Sequence, residues 1–219
     1  MTERWPGELR EEPLAEDDPL EEPEGLEAVA GTDGVVTAQA ESSRHPEAQP
    51  AEHAAASLDI PDDVDVLEGE AGPIRRSVAI VISKFNGEVT TKLLASALDE
   101  LDRLEVDRGR IVVVPVPGAF ELPLAAMALA KTRRYTCVVA LGCVIRGETP
   151  HFDYVASEAA SGLQLAALET GVPVAFGVLT TENAAQAEAR TEKGAEAVRT
   201  ALEMADLFAH LRRSAAPQT

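Results

Sequence analysis

The chain has 219 residues and a formal net charge of −19, from 38 acidic and 19 basic side chains. Residues 1–70 carry 21 of the acidic side chains against only Arg4, Arg10 and Arg44, so this stretch holds −18 and residues 71–219 are nearly neutral at −1. That split excludes a nucleic-acid surface built on clustered Lys and Arg, and the longest apolar runs, residues 124–130 and 137–141, fall far short of the about 20 residues that cross a bilayer.

Residues 1–64 hold seven of the 14 prolines, one aromatic residue, Trp5, and acidic blocks such as Glu16-Asp17-Asp18. Such a composition buries too little apolar surface to offset its ordering entropy, so a disordered acidic N-terminal extension is expected, serving as a solvated spacer or a recruiting tail. Glu3, Glu8, Glu11 and Glu12 stand where a secretory signal or transit peptide has apolar or basic residues, and a cytoplasmic location is expected. Cys137 and Cys143 lie in or beside an apolar run without a second cysteine pair, which predicts buried, reduced thiols and no metal site.

From Ser77 the pattern changes to short apolar, β-branched runs alternating with stretches of helical period. Strands are predicted over residues 77–82, 111–116, 137–141 and 174–179, and helices over 88–104, 122–131, 154–169 and about 182–213. Alternation of continuous apolar strands with helices predicts βαβ units, hence one domain over residues 65–219 built as a three-layer α/β/α sandwich on a four-stranded parallel sheet.

Ligands of such sheets bind beyond the carboxyl ends of the strands, and every unusual segment of this chain falls there. Phe85 lies in a polar loop, where it either stacks on a flat heterocycle or caps the core. Gly118-Ala119-Phe120-Glu121 couples small residues, which admit a ligand to the backbone, with a carboxylate that accepts hydrogen bonds; a tight turn is the plainer reading. Gly147-Glu148-Thr149 precedes a helix and offers N–H groups and a hydroxyl to an anion, or else Thr149 simply caps that helix. His151, beside it, is suited to proton transfer near neutral pH, although a histidine in a first helical turn is often only a surface residue. A stacking face, a carboxylate, an anion nest and a proton shuttle suit condensation of small polar molecules, one of them phosphorylated.

At Lys84-Phe85-Asn86, Val116-Pro117-Gly118-Ala119-Phe120-Glu121, the segment 142–155 and Phe176-Gly177-Val178-Leu179-Thr180-Thr181-Glu182-Asn183, the sequence resembles the 6,7-dimethyl-8-ribityllumazine synthase family. The likeness runs from Val66-Leu67-Glu68-Gly69 to about Arg213. It implies a flavodoxin-like topology and the penultimate step of riboflavin biosynthesis: 5-amino-6-ribitylaminouracil condenses with 3,4-dihydroxy-2-butanone 4-phosphate, without a cofactor. It further implies that Phe85 stacks on the pyrimidine, that Ala119, Phe120 and Glu121 meet the ribityl chain and ring, and that Cys143, Val144 and Ile145 hold the pyrimidine edge through the backbone. Glu148 and Thr149 would bind the phosphorylated substrate, Arg190 its phosphate, with Lys193 as a second candidate cation, and His151 would donate protons. Phe176 would come from a neighbouring subunit, so the smallest active unit is a homo-oligomer, typically a pentamer.

One departure stands out. Only Thr191 and Glu192 separate Arg190 from Lys193-Gly194, where the family usually has a longer loop associated with packing pentamers into icosahedral shells. The shortened segment predicts a run from 183 to 193 that stays helical, nearly continuous with the last helix and kinked at Gly194. Two other classes share parts of the pattern: a flavin carrier with Thr90-Thr91 in a phosphate loop, and a non-catalytic shell protein.

Overall fold

The computed structural model describes residues 58–61, 63–72 and 77–214. Most of the acidic extension expected over residues 1–64 lies outside them.

Four parallel strands, β1 (Ser77–Ser83), β2 (Ile111–Val116), β3 (Tyr135–Ile145) and β4 (Val174–Thr181), form one sheet in the order β2-β1-β3-β4. Five helices, α1 (Gly87–Arg103), α2 (Leu122–Lys131), α3 (His151–Thr170), α4 (Ala184–Glu188) and α5 (Lys193–Ser214), complete the described fold, with short 3-10 turns at Arg108–Arg110 and Ala119–Glu121. Strand side chains alternate between faces. Val78, Ile80 and Ile82 join Ala97 and Leu101 of α1 and Val198, Ala201 and Leu202 of α5. Ala79 and Val81 join Leu122 and Ala126 of α2 and Ala159 and Leu163 of α3. The result is the expected three-layer α/β/α sandwich. Central β1 is covered on both faces, which is why its residues read as one unbroken apolar run, each large side chain contributing about 1.5–3 kcal/mol relative to exposure. Pro115, which cannot donate to a ladder, falls on the edge strand β2 opposite Ile82.

Several boundaries differ from the sequence expectation: α3 begins at His151 rather than at residue 154, and β4 runs to Thr181 rather than to residue 179. β3 runs four residues past 141, because β4 continues beside it: Gly142, Cys143, Val144 and Ile145 pair with Val178, Leu179, Thr180 and Thr181. The last residue of β3 paired with β1 is Leu141, opposite Ile82, so the final four residues keep a neighbour on one side only.

The carboxyl-terminal helix is two helices, and the break lies at residues 189–192 rather than at a kink on Gly194. Asn183 fixes the start of α4 at the end of β4 by accepting from the Gln186 N–H (2.9 Å). The line of α5 is set independently by α1. Gly194 is buried so close to α1 that an added Cβ would stand 2.1 Å from the Leu93 carbonyl oxygen. Ser96 Oγ accepts from the Ala195 N–H (3.1 Å), and Arg199 donates to Glu100 (3.0 Å). One straight helix cannot meet both directions, and short-range bonds such as Arg190 N–H to the Ala187 carbonyl (3.0 Å) close the turn between them.

Candidate functional site

The carboxyl ends of β1, β2 and β3 open into a cleft of about 570 Å³. Phe85 reaches it from the β1–α1 loop, Ala119, Phe120 and Glu121 from the 3-10 turn after β2, Cys143, Val144 and Ile145 from β3, and Thr149 and His151 from the entry to α3. Nine of the residues expected in a site are thereby brought together from two loops, the end of β3 and the entry to α3. Phe85 is 69% exposed and Phe120 57%, so neither caps the core, and both aromatic faces are open to a flat ring.

The cleft floor is shaped by hydrogen bonds between the loops. Asn86 adopts the left-handed conformation at the start of α1 (φ 56°), and its Nδ2 donates to the Cys143 carbonyl (2.9 Å). Val138 and Arg146 send their N–H groups to the Pro173 and Thr181 carbonyls on the β4 side (both 2.9 Å). By the alternation of a strand, Cys143 and Ile145 therefore turn their peptide groups toward the end of β1; Asn86 occupies the Cys143 carbonyl, and the peptide edge of Ile145 faces the cleft. Sequence reading gave Asn86 no separate role, although a polar residue placed directly after the last turn of a strand is the signal that finds it. On the opposite wall, Glu121 folds back to accept from the Gly118 N–H (2.9 Å), which holds the turn Ala119–Glu121 open and keeps the carboxylate at the cleft.

At the entry to α3 the capping residue is Pro150, with no side-chain cap bond, so Thr149 is not a helix cap. Its hydroxyl has no hydrogen-bond partner among the described residues and lines the cleft, whereas Glu148 is exposed beside it and does not. His151 is exposed at the first position of α3.

Phe176, Arg190 and Lys193 are not in this cleft. They share a separate groove of about 240 Å³ along the carboxyl half of β4, where Phe176 is 46% exposed. The two cations differ in engagement. Lys193 Nζ donates to both carboxylate oxygens of Glu196 (2.7 Å each). Arg190 donates through Nη1 to the Gln186 carbonyl (2.9 Å) and has no carboxylate partner among the described residues.

Burial, with the carboxylate of Glu188 adding to it, pushes the Cys143 thiol up to about 11, and burial alone pushes Cys137 up to about 12. Both remain neutral thiols at physiological pH, as expected, and neither is an activated nucleophile. Among the described residues no cluster of His, Cys, Asp and Glu is arranged to hold a metal ion, and no helix is long and apolar enough to cross a membrane. The flavin-carrier alternative loses its phosphate loop, since Thr90 is buried with its hydroxyl turned to the Asn86 and Gly87 carbonyls (3.5 Å each).

Comparison with known proteins adds a family to this geometry. Residues 75–209 match the profile of the family described as 6,7-dimethyl-8-ribityllumazine synthase. Curated proteins of that name from Yersinia pestis (strain Pestoides F) and Yersinia pseudotuberculosis serotype O:1b (strain IP 31758) are each 51% identical over 151 residues, covering 66% of this chain and 97% of the relative. The cleft, the groove and the sheet that positions them all fall inside the matched region, and the chain belongs to the 6,7-dimethyl-8-ribityllumazine synthase family.

Proposed function

We propose that this enzyme condenses 5-amino-6-ribitylaminouracil with 3,4-dihydroxy-2-butanone 4-phosphate, giving 6,7-dimethyl-8-ribityllumazine, inorganic phosphate and water, in the cytoplasm and without a cofactor. The observation that carries this reading is the division of the site: a cleft with stacking faces, a peptide edge and a histidine, and a separate groove with an aromatic ring and an arginine that has no carboxylate partner among the described residues. Each is half of what two substrates need. The proposal joins the cleft of one copy to the groove of the next in a homo-oligomer, so that Phe176 and Arg190 close the site from the neighbouring subunit.

In that arrangement Phe85 stacks on the pyrimidine, whose edge meets the backbone of Cys143, Val144 and Ile145. Ala119, Phe120 and Glu121 receive the ribityl chain and ring. Thr149, with Glu148 beside it, takes the phosphorylated substrate at the amino end of α3, where the helix dipole favours an anion. Arg190 holds the phosphate, and its fixed charge eases departure of that group. Lys193, already bound to Glu196, is the weaker candidate for this task. His151 moves protons for imine formation, ring closure and loss of water. Alignment of two substrates supplies much of the rate, since effective molarities for well-oriented partners reach about 10⁵ M and above.

The test is to mix the two substrates with the purified full-length protein and follow lumazine fluorescence together with phosphate release. Equal appearance of both products is expected. Absence of product, or purification with stoichiometric bound flavin, would contradict the assignment. In the same assay His151→Ala should lower kcat by about 10²-fold without abolishing turnover.

A further inference from the structure

We propose that Arg146 is a positioning residue that fixes the arm carrying His151. The inference rests on the reading of His151 as the proton-moving group, and goes beyond it by naming what holds that group in place.

Arg146 is the first residue past β3, and its own N–H is anchored to the Thr181 carbonyl (2.9 Å). From that fixed base the guanidinium makes three contacts. It grips Asp153 with a two-pronged fork, Nη1 to Oδ2 at 3.2 Å and Nη2 to Oδ1 at 3.0 Å. Its Nε donates to Glu182 at the end of β4 (3.1 Å), and its plane lies over the Phe152 ring, 4.2 Å from the centroid. Phe152 and Asp153 are the two residues that follow His151, so the fork and the stack hold the first turn of α3 directly against the sheet.

Nothing else on the arm does this. Between Arg146 and His151 stand Gly147, Glu148, Thr149 and Pro150, all exposed, and the side chains of Glu148, Thr149 and His151 make no hydrogen bond to another described residue. A Cβ at Gly147 would meet no atom within 4 Å, so packing does not hold the link either. Each ion pair is partly exposed and weak alone, but three contacts converge on one planar group, a geometry that lysine cannot reproduce. Arg146 does not line the cleft, so it acts through the arm rather than on the substrates. A displacement of about 1 Å at a reacting group is enough to cost large factors in rate.

The experiment is a double-mutant cycle on the full-length protein, with assembly checked by sedimentation. His151→Ala is expected to lower kcat about 10²-fold and Arg146→Ala about 10-fold, with the KM of both substrates little changed. The double variant should be no slower than His151→Ala, because the second change acts through the group the first has removed. Arg146→Lys, which keeps the charge and loses the fork, should stay near Arg146→Ala. If Arg146→Ala does not assemble, Asp153→Asn replaces it in the cycle and should likewise add nothing to His151→Ala. Multiplicative losses approaching about 10³-fold in the double variant, a rise confined to the KM of the phosphorylated substrate, or full rescue by lysine would each overturn the inference while leaving the role of His151 intact. Unchanged kcat in His151→Ala would overturn both.

Discussion

Cys143 lends its backbone to the cleft while its side chain packs with Val89, Leu93, Leu179 and Ala187 in a small apolar cluster. Its thiol is held protonated, up to about 11, by burial first and by the charge of Glu188 second. The sign of the pH dependence follows. With the ordinary value near 9.0, the folded thiols of Cys143 and Cys137 favour the native state fully below pH 9, and that contribution is lost as pH rises toward 11 and 12. Chemical denaturation at pH 8 and at pH 10.5 should therefore show lower stability at the higher pH, with the loss reduced in Cys143→Ala. Equal stability at the two pH values would contradict the burial account. Iodoacetamide at pH 8 should leave both thiols unmodified in the folded protein.

Between α4 and α5 the turn over residues 189–192 contains Arg190 and leads directly into Lys193, with two residues between the cations, and their surroundings separate their roles. Lys193 is bound to Glu196 on the first turn of α5, whereas Arg190 points its charge along the groove of Phe176. Arg190→Ala should raise the KM of the phosphorylated substrate by about 10- to 100-fold, the usual loss for a hydrogen bond to a charged group, and Lys193→Ala should change it much less. Retained affinity in Arg190→Ala with loss in Lys193→Ala would reverse the assignment. This same turn marks the limit of what the sequence reveals. β2 and α2 were legible to the residue because apolar period and flanking prolines agree there. The break before α5 was not, because it arises from Gly194 meeting the Leu93 backbone of α1, a contact 101 residues away in the chain. Likewise Phe85, Ala119, Phe120, Glu121 and Thr149 were legible beyond strand ends, whereas Cys143, Val144 and Ile145, expected in a loop, belong to β3 itself. The bond from Asn86 to Cys143 and the grip of Arg146 on Asp153 depend on how those loops are brought face to face, which no local pattern encodes.

For the whole molecule, two expectations follow from the charge division and from the short turn. Removing residues 1–64 takes away no strand of the sheet, so the truncated chain should fold, assemble and turn over as the full chain does; precipitation or lost activity would show that the extension is structural. Mass photometry should find a closed pentamer or a dimer of pentamers, on the expectation from the family resemblance that the short segment between Arg190 and Lys193 does not support shell packing; the helices on either side of it are tied to α1 by Ser96 and Lys92, and a dominant species of about sixty subunits would refute this. The division of the site between a cleft and a groove is tested most directly by co-assembling His151→Ala chains with Arg190→Ala chains. If each site draws its cleft from one copy and its groove from the next, a random equal mixture regenerates about a quarter of the sites in intact form, and activity returns to about a quarter of the wild-type rate. Activity no greater than the average of the two variants measured separately would place His151 and Arg190 in the same copy's site and contradict the account.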